Sequence, residues 1–267
     1  MRNELASLFD GIVAVDLEVH PVSGTLLAAG AFREGRQAFR ETGPWNDPRE
    51  VLKSLEIYGR DSGFVLGHNV LAHDVEWLKR HAPGHALLKL PVIDTLLLSP
   101  LAWPRHPYHK LWKGYKQTES SRNDPLRDSE AALTLFREQL GQFRVDPLLP
   151  LYLCLLGQDD VTRGCAAAIA RETGAKPLDL DETFRQARET FSGKACSKAL
   201  EELFDTGGYR RPEWIALAMA LAWLSVADGM SRLAPWVVHA FPRAVEILHA
   251  LRRRPRRSEE GRVGKEC

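Results

Sequence analysis

The stretch Gly11-Ile-Val-Ala-Val-Asp16-Leu-Glu18 constrains the fold more than any other part of the chain. An apolar run with β-branched members reads as a buried strand, and residues i and i+2 of a strand share a face. Asp16 and Glu18 are therefore expected on one face at a strand end. Two carboxylates held that close repel and raise each other's pKa unless a positive charge sits between them, and a divalent cation is the usual solution. A pair of solvated acids at an ordinary strand terminus is the competing reading. Only acids further along the chain separate the two.

The following segments supply the rest of a sheet. Val19-His20-Pro21-Val22-Ser23-Gly24 turns into a second strand, Thr25 to Phe32, and Glu34-Gly35 turns into a third, Gln37 to Glu41. Asp47-Pro48 starts a helix, Asp as N-cap and Pro at the first helical position, that runs through Val51, Leu52, Leu55 and Ile57 to a stop at Gly59. A short strand, Phe64 to Gly67, leads into His68 to Leu78, where Leu71, Val75 and Leu78 form a helical stripe with Asp74 near its start. An acid in a first helical turn also complements the helix dipole, for about 0.3 to 1 kcal/mol, so Asp74 alone decides nothing. Val92 to Thr95 is a fifth strand, with Asp94 read as a strand-end hydrogen-bonding group. Asp124-Pro125 repeats the helix-start signature ahead of an apolar face of Leu126, Ala132, Leu133, Phe136 and Leu140, with Asp128 in the first turn. Three strands, helix, strand, helix, strand, helix is the order of a ribonuclease-H-like α/β fold, a mixed five-stranded sheet flanked by helices.

Asp16, Glu18, Asp74 and Asp128 are then four acids, each beside an element terminus from which it can reach a common point. Four acids in one place can hold two divalent ions about 3.5 to 4 Å apart, the device for in-line phosphodiester cleavage. The formal net charge of +1 excludes a uniformly basic coat, so nucleic acid would be held by a local patch or through metal ions. One such patch is the segment Trp103 to Arg122, where Tyr108, His109, Lys110, Lys113, Tyr115 and Lys116 interleave cations with rings, as a phosphate track with base stacking does. An ordinary connecting helix with a solvated basic face is the alternative.

The segments IVAVDLE, LGHNVLAHD and NDPLRDSEAALTLF resemble the three motifs of the DEDD superfamily of 3′-5′ exonucleases, the DnaQ-like and RNase T-like nucleases, over residues 9 to about 143. The resemblance implies that Asp16, Glu18, Asp74 and Asp128 are ligands for two Mg²⁺ or Mn²⁺ ions. His68 and Asn69 of the second motif, and His109, Lys110, Lys113 and Lys116 of the basic aromatic segment, are candidates for contact with nucleic acid, single-stranded DNA 3′ ends above all. In VHPVSGTLLAAGAF, PVIDTLLLSPLAWP, PYHKL and RNDPLRDSEAALTLF the chain looks closest to the exonuclease-like N-terminal region of some large bacterial RecQ-type helicases. One departure matters. The histidine-bearing branch of the superfamily has its general base five residues before the last Asp, where this chain has Asn123, and an amide cannot accept that proton. The tyrosine-bearing branch has its Tyr four residues before, where this chain has Asp124. Asp124 as base or as N-cap, His73 or His109 reaching in from elsewhere, and metal-bound hydroxide unaided are the readings left open. A slow 3′-5′ exonuclease is the expectation; a catalytically weak nucleic-acid-binding module delivering a 3′ end to a motor, and a purely structural domain, are the alternatives.

Asp146-Pro147 and Pro150 mark a boundary between an exonuclease-like domain, 1–145, and a helical region, 146–253. Glycines past successive apolar runs close helices at Leu148 to Leu156, Asp160 to Glu172, Asp181 to Phe191, Lys194 to Phe204, Glu213 to Met230 and Pro242 to Arg253. Trp214, Trp223 and Trp236 read as core aromatics there. The run from Trp214 to Val226 is shorter than the roughly 18 to 20 residues of a bilayer span, and no apolar leader follows Met1. Cys154, Cys165, Cys196 and Cys267 lack CxxC spacing, which predicts reduced thiols, no zinc and a cytoplasmic location. Residues 254–267 carry no fold signal. RSEEGRVGKEC resembles a translated sequencing adapter, so the natural chain is expected to continue, with a helicase motor beyond; these residues include no GxxxxGK[ST] loop.

Overall fold

The computed structural model describes residues 7–45, 47–112, 123–205, 213–226 and 233–252. Five strands, β1 (Ile12–Val19), β2 (Leu26–Phe32), β3 (Phe39–Thr42), β4 (Phe64–Gly67) and β5 (Val92–Asp94), form one mixed sheet in the order β3-β2-β1-β4-β5. β1 and β2, and β2 and β3, run antiparallel; β1 and β4, and β4 and β5, run parallel. This is the mixed α/β sheet that the element order predicts, followed by a helical region.

β1 is apolar and buried from Ile12 to Val15, where it is covered on both faces. Val13, Val15 and Leu17 pack with Val51, Leu52 and Leu55 of α1 (Pro48–Tyr58) and Val75 and Leu78 of α2 (Asp74–His81). Ile12 and Ala14 face the other way, onto Leu98 and Leu101 of α3 (Thr95–Ala102) and Ala132, Leu133 and Phe136 of α4 (Pro125–Phe143). Asp16 and Glu18 continue this second row by strand alternation, so they point to the α4 side. The same core extends without a break into α5 (Leu149–Gly157), α6 (Arg163–Thr173), α7 (Leu180–Thr190), α8 (Ser197–Phe204), α9 (Trp214–Ser225), α10 (Pro235–Ala240) and α11 (Pro242–Arg252).

Several local expectations hold. Asp47 and Asp124 are N-caps with Pro at the first helical turn, and Gly174 closes α6 in the left-handed conformation. Trp214 and Trp223 are buried, and α9 is buried almost all round. Among the described residues no helix is long and apolar enough to cross a membrane. Other details differ. α2 begins only at Asp74, because Asn69 and Leu71 are drawn into a turn by the Asp94 carboxylate, which accepts their N–H groups at 2.9 and 3.0 Å. Ile57, placed on the apolar face of α1, is exposed. α3 and α10 are helices that the sequence pattern does not predict.

Candidate metal centre

Three acids meet on the α4 side of the sheet. One carboxylate oxygen from each of Asp16, Glu18 and Asp128 lies within 4.8 Å of the others. Two come from alternate positions of β1 and the third from the first turn of α4, which reaches them because α4 sits directly on β2. Gly30 is paired with Asp16 in the ladder, and a Cβ there would fall closer than 3.0 Å to the backbone of Pro125 and Leu126. Only glycine allows this approach. Ser129 fixes it, its Oγ lying 3.2 Å from the Gly30 carbonyl oxygen and 2.7 Å from that of Pro125. Neither residue was singled out from the sequence, although a lone Gly inside TLLAAGAF is a recognised sign of close backbone approach.

Asp74 stands beside this triplet. The ladder of β1 with β4 ends at Ala14 and Leu66, and beyond it β1 pairs only with β2. Asp74 Oδ1 accepts the Leu17 N–H at 2.6 Å, between Asp16 and Glu18 in the chain, while Oδ2 lies 3.7 Å from His73 Nδ1. The fourth expected ligand is thus at the centre's edge, with its oxygens directed to Leu17 and His73. Burial pushes its pKa up, and His73 and the Leu17 N–H pull it back; the His73 pKa is raised chiefly by its contact with Asp74, with Glu18 adding to it.

Asn123 is at the centre too. Its Nδ2 donates to Glu18 Oε2 at 3.1 Å. Asp124 serves as the N-cap of α4, accepting the Leu126 N–H at 3.2 Å, and pairs with Arg40 of β3 at 3.3 Å. A cleft of about 590 Å³ opens next to Glu18 and Asn123, lined by Leu27, Ala28, Thr42 and Trp45.

His68 and Asn69 form the turn after β4. His68 Nδ1 is 3.0 Å from Thr95 Oγ1, and Asn69 takes a left-handed φ of 64°. Asp94 is a strand-end hub as expected, accepting from Asn69, Leu71 and Leu96; burial pushes its pKa up to about 6 against these backbone donors. His109 is 4% exposed and lies at the back of a cleft, not on an open phosphate track. Lys110 is exposed, and Lys113 and Lys116 lie outside the described residues.

Asp128 and Asp74 are each 2% exposed. Buried carboxylates are retained where a cation or hydrogen bonds compensate them, and an all-oxygen donor set suits a hard divalent ion. The group Asp16, Glu18 and Asp128 can hold a metal ion. No protein-family model matches the chain, and no curated protein matches it in sequence.

Proposed function

We propose that the chain is a metal-dependent 3′-5′ exonuclease acting on single-stranded DNA. The observation that carries the proposal is the convergence of Asp16, Glu18 and Asp128 within 4.8 Å on the sheet face that α4 covers. Asp16, Glu18 and Asp128 hold the ions, Mg²⁺ or Mn²⁺, and Asp74 orients the strand end by its bond to Leu17. When bound, a pair of such ions lowers the pKa of the attacking water and neutralises the leaving oxygen. The 590 Å³ cleft beside Glu18 gives the terminal nucleoside a place next to the acids. Polarity and the choice of DNA rest on the motif resemblance. A helicase motor is the partner that the narrower resemblance suggests.

Asn123 favours a second reading, a nucleic-acid-binding module with feeble catalysis. Its amide donates to a ligand carboxylate where a general base is expected, and general-base catalysis usually adds about 10² to 10⁴ to the rate. Incubation of the chain with 3′- and 5′-labelled single strands of DNA and RNA, with Mg²⁺, Mn²⁺ or chelator, separates the readings. Metal-dependent stepwise shortening from the 3′ end supports the exonuclease. Retention of the strand without shortening supports the module.

A further inference from the structure

Along the outer flank of α4 a cleft of about 480 Å³ separates that helix from the segment Trp103 to Trp112. Its size is that of a small-ligand site, roughly 300 to 1,000 Å³. Flat rings dominate the wall that faces α4. His106 stacks on Trp103 with centroids 5.8 Å apart and planes 8° from parallel, and Tyr108 and Trp112 stand at the rim, 52% and 78% exposed. His109 forms the back, held against Trp236 and Phe241 at centroid distances of 5.9 and 6.3 Å.

Among the described residues His109 Nε2 is buried and has no hydrogen-bond partner. Buried polar atoms are almost always partnered, so an orphan lining a cleft marks where a ligand completes the bond. Burial lowers the pKa of this imidazole to about 4, which keeps it neutral. The His106 backbone favours a proton on the ring, and with Nε2 unpartnered that proton belongs on Nδ1. Nε2 is then a bare acceptor. The ligand that answers these features is flat, aromatic and carries an N–H on its edge.

We propose that this cleft receives one unpaired nucleobase, stacked on the rim rings of Trp112 and Tyr108 and donating an edge N–H to His109 Nε2. The inference rests on the reading of the chain as a holder of single-stranded nucleic acid. α4 links the two places: Ala131, Thr134, Leu135 and Glu138 line the cleft. With a rise of about 1.5 Å per residue they lie about 5 to 15 Å along the axis from Asp128, a separation that one short strand can span. Lys110, with its ammonium 5.8 Å from the Tyr108 ring centroid, supplies a cation for the adjoining phosphate. Every base has a π face, so stacking here is tolerant of sequence but intolerant of a missing base.

The test is fluorescence anisotropy of a short labelled oligothymidylate and of an abasic strand of equal length, both in chelator so that nothing is cut. The wild-type chain is expected to prefer the base-bearing strand, and Trp112→Ala to bind it about tenfold more weakly while holding the abasic strand as before. Trp112 is exposed, so its loss leaves the fold intact; His109→Leu, checked for its fold by circular dichroism, is expected to weaken the same strand. Equal binding of the two strands by the wild type, or wild-type affinity in Trp112→Ala, overturns the proposal. Metal-dependent cutting with an unaffected Trp112→Ala removes the cleft and leaves the exonuclease standing. Trp112-dependent binding without cutting keeps the cleft and removes the exonuclease.

Discussion

Asn123 donates a hydrogen bond to Glu18 at a position from which a base would act, and an amide orients a carboxylate without taking a proton. Asp16→Ala is expected to abolish metal-dependent shortening of a 3′-labelled strand, and Asn123→His to raise turnover by about 10²-fold. No gain in Asn123→His alongside a dead Asp16→Ala would remove the missing base as the cause of slow turnover. His109 sets a pH dependence of stability. Its pKa in the fold is about 4 against an ordinary 6.5, chiefly through burial, with His106 adding to the shift. As pH falls below 6.5 the unfolded chain takes up a proton that the folded one refuses. The stabilisation is whole above 6.5 and is lost as pH falls through 4, by up to about 3 kcal/mol. Thermal midpoints at pH 7 and pH 4.5 measure it; His109→Phe is expected to narrow the difference, and an equal difference in both proteins contradicts the assignment.

The seat of α4 on β2 turns separate acids into a centre. Gly30→Ala forces a methyl into the backbone of Pro125 and Leu126 and has no flexible side chain to displace. Overpacking of this kind costs about 1 to 3 kcal/mol, and here it lifts Asp128 away from Asp16 as well. Chemical denaturation is expected to show the stability loss and calorimetry the loss of metal uptake; normal uptake in Gly30→Ala would mean that the helix seat does not build the centre. What was legible in the sequence at this scale was whatever leaves a period or a cap. The β1 run, the Asp-Pro helix starts and Asp128 in a first turn could all be read. α3 could not, because TLLLSPLA is buried on nearly every side, shows no stripe, holds Pro100, and takes its cap from the last residue of β5. Gly30 and Ser129 were hidden for a different reason: their partners are distant in the chain, and a contact between a strand glycine and a helix backbone leaves no periodic trace. The standing of Asp74 at the edge of the centre likewise depends on where β4 stops pairing with β1, which no local pattern encodes.

At the scale of the molecule, one apolar core joins Ile12 of β1 to Leu251 of α11. The helices after residue 145 share one buried core with Phe136, Leu140 and Phe143 of α4, and they carry Trp236 to the back of the aromatic cleft. Residues 1–145 expressed alone are therefore expected to lose cooperative unfolding, whereas a sharp transition at the full chain's midpoint would show that the sheet layer stands without them. The central claim is that acids from β1 and α4 form a cation site, and a calorimetric titration of the full chain with Mn²⁺ in the absence of nucleic acid tests it most directly. Saturable uptake in the wild type, abolished in Asp16→Asn and in Asp128→Asn while both variants keep their circular dichroism spectra, is the predicted result. No uptake by the wild type, or uptake that survives both substitutions, contradicts it.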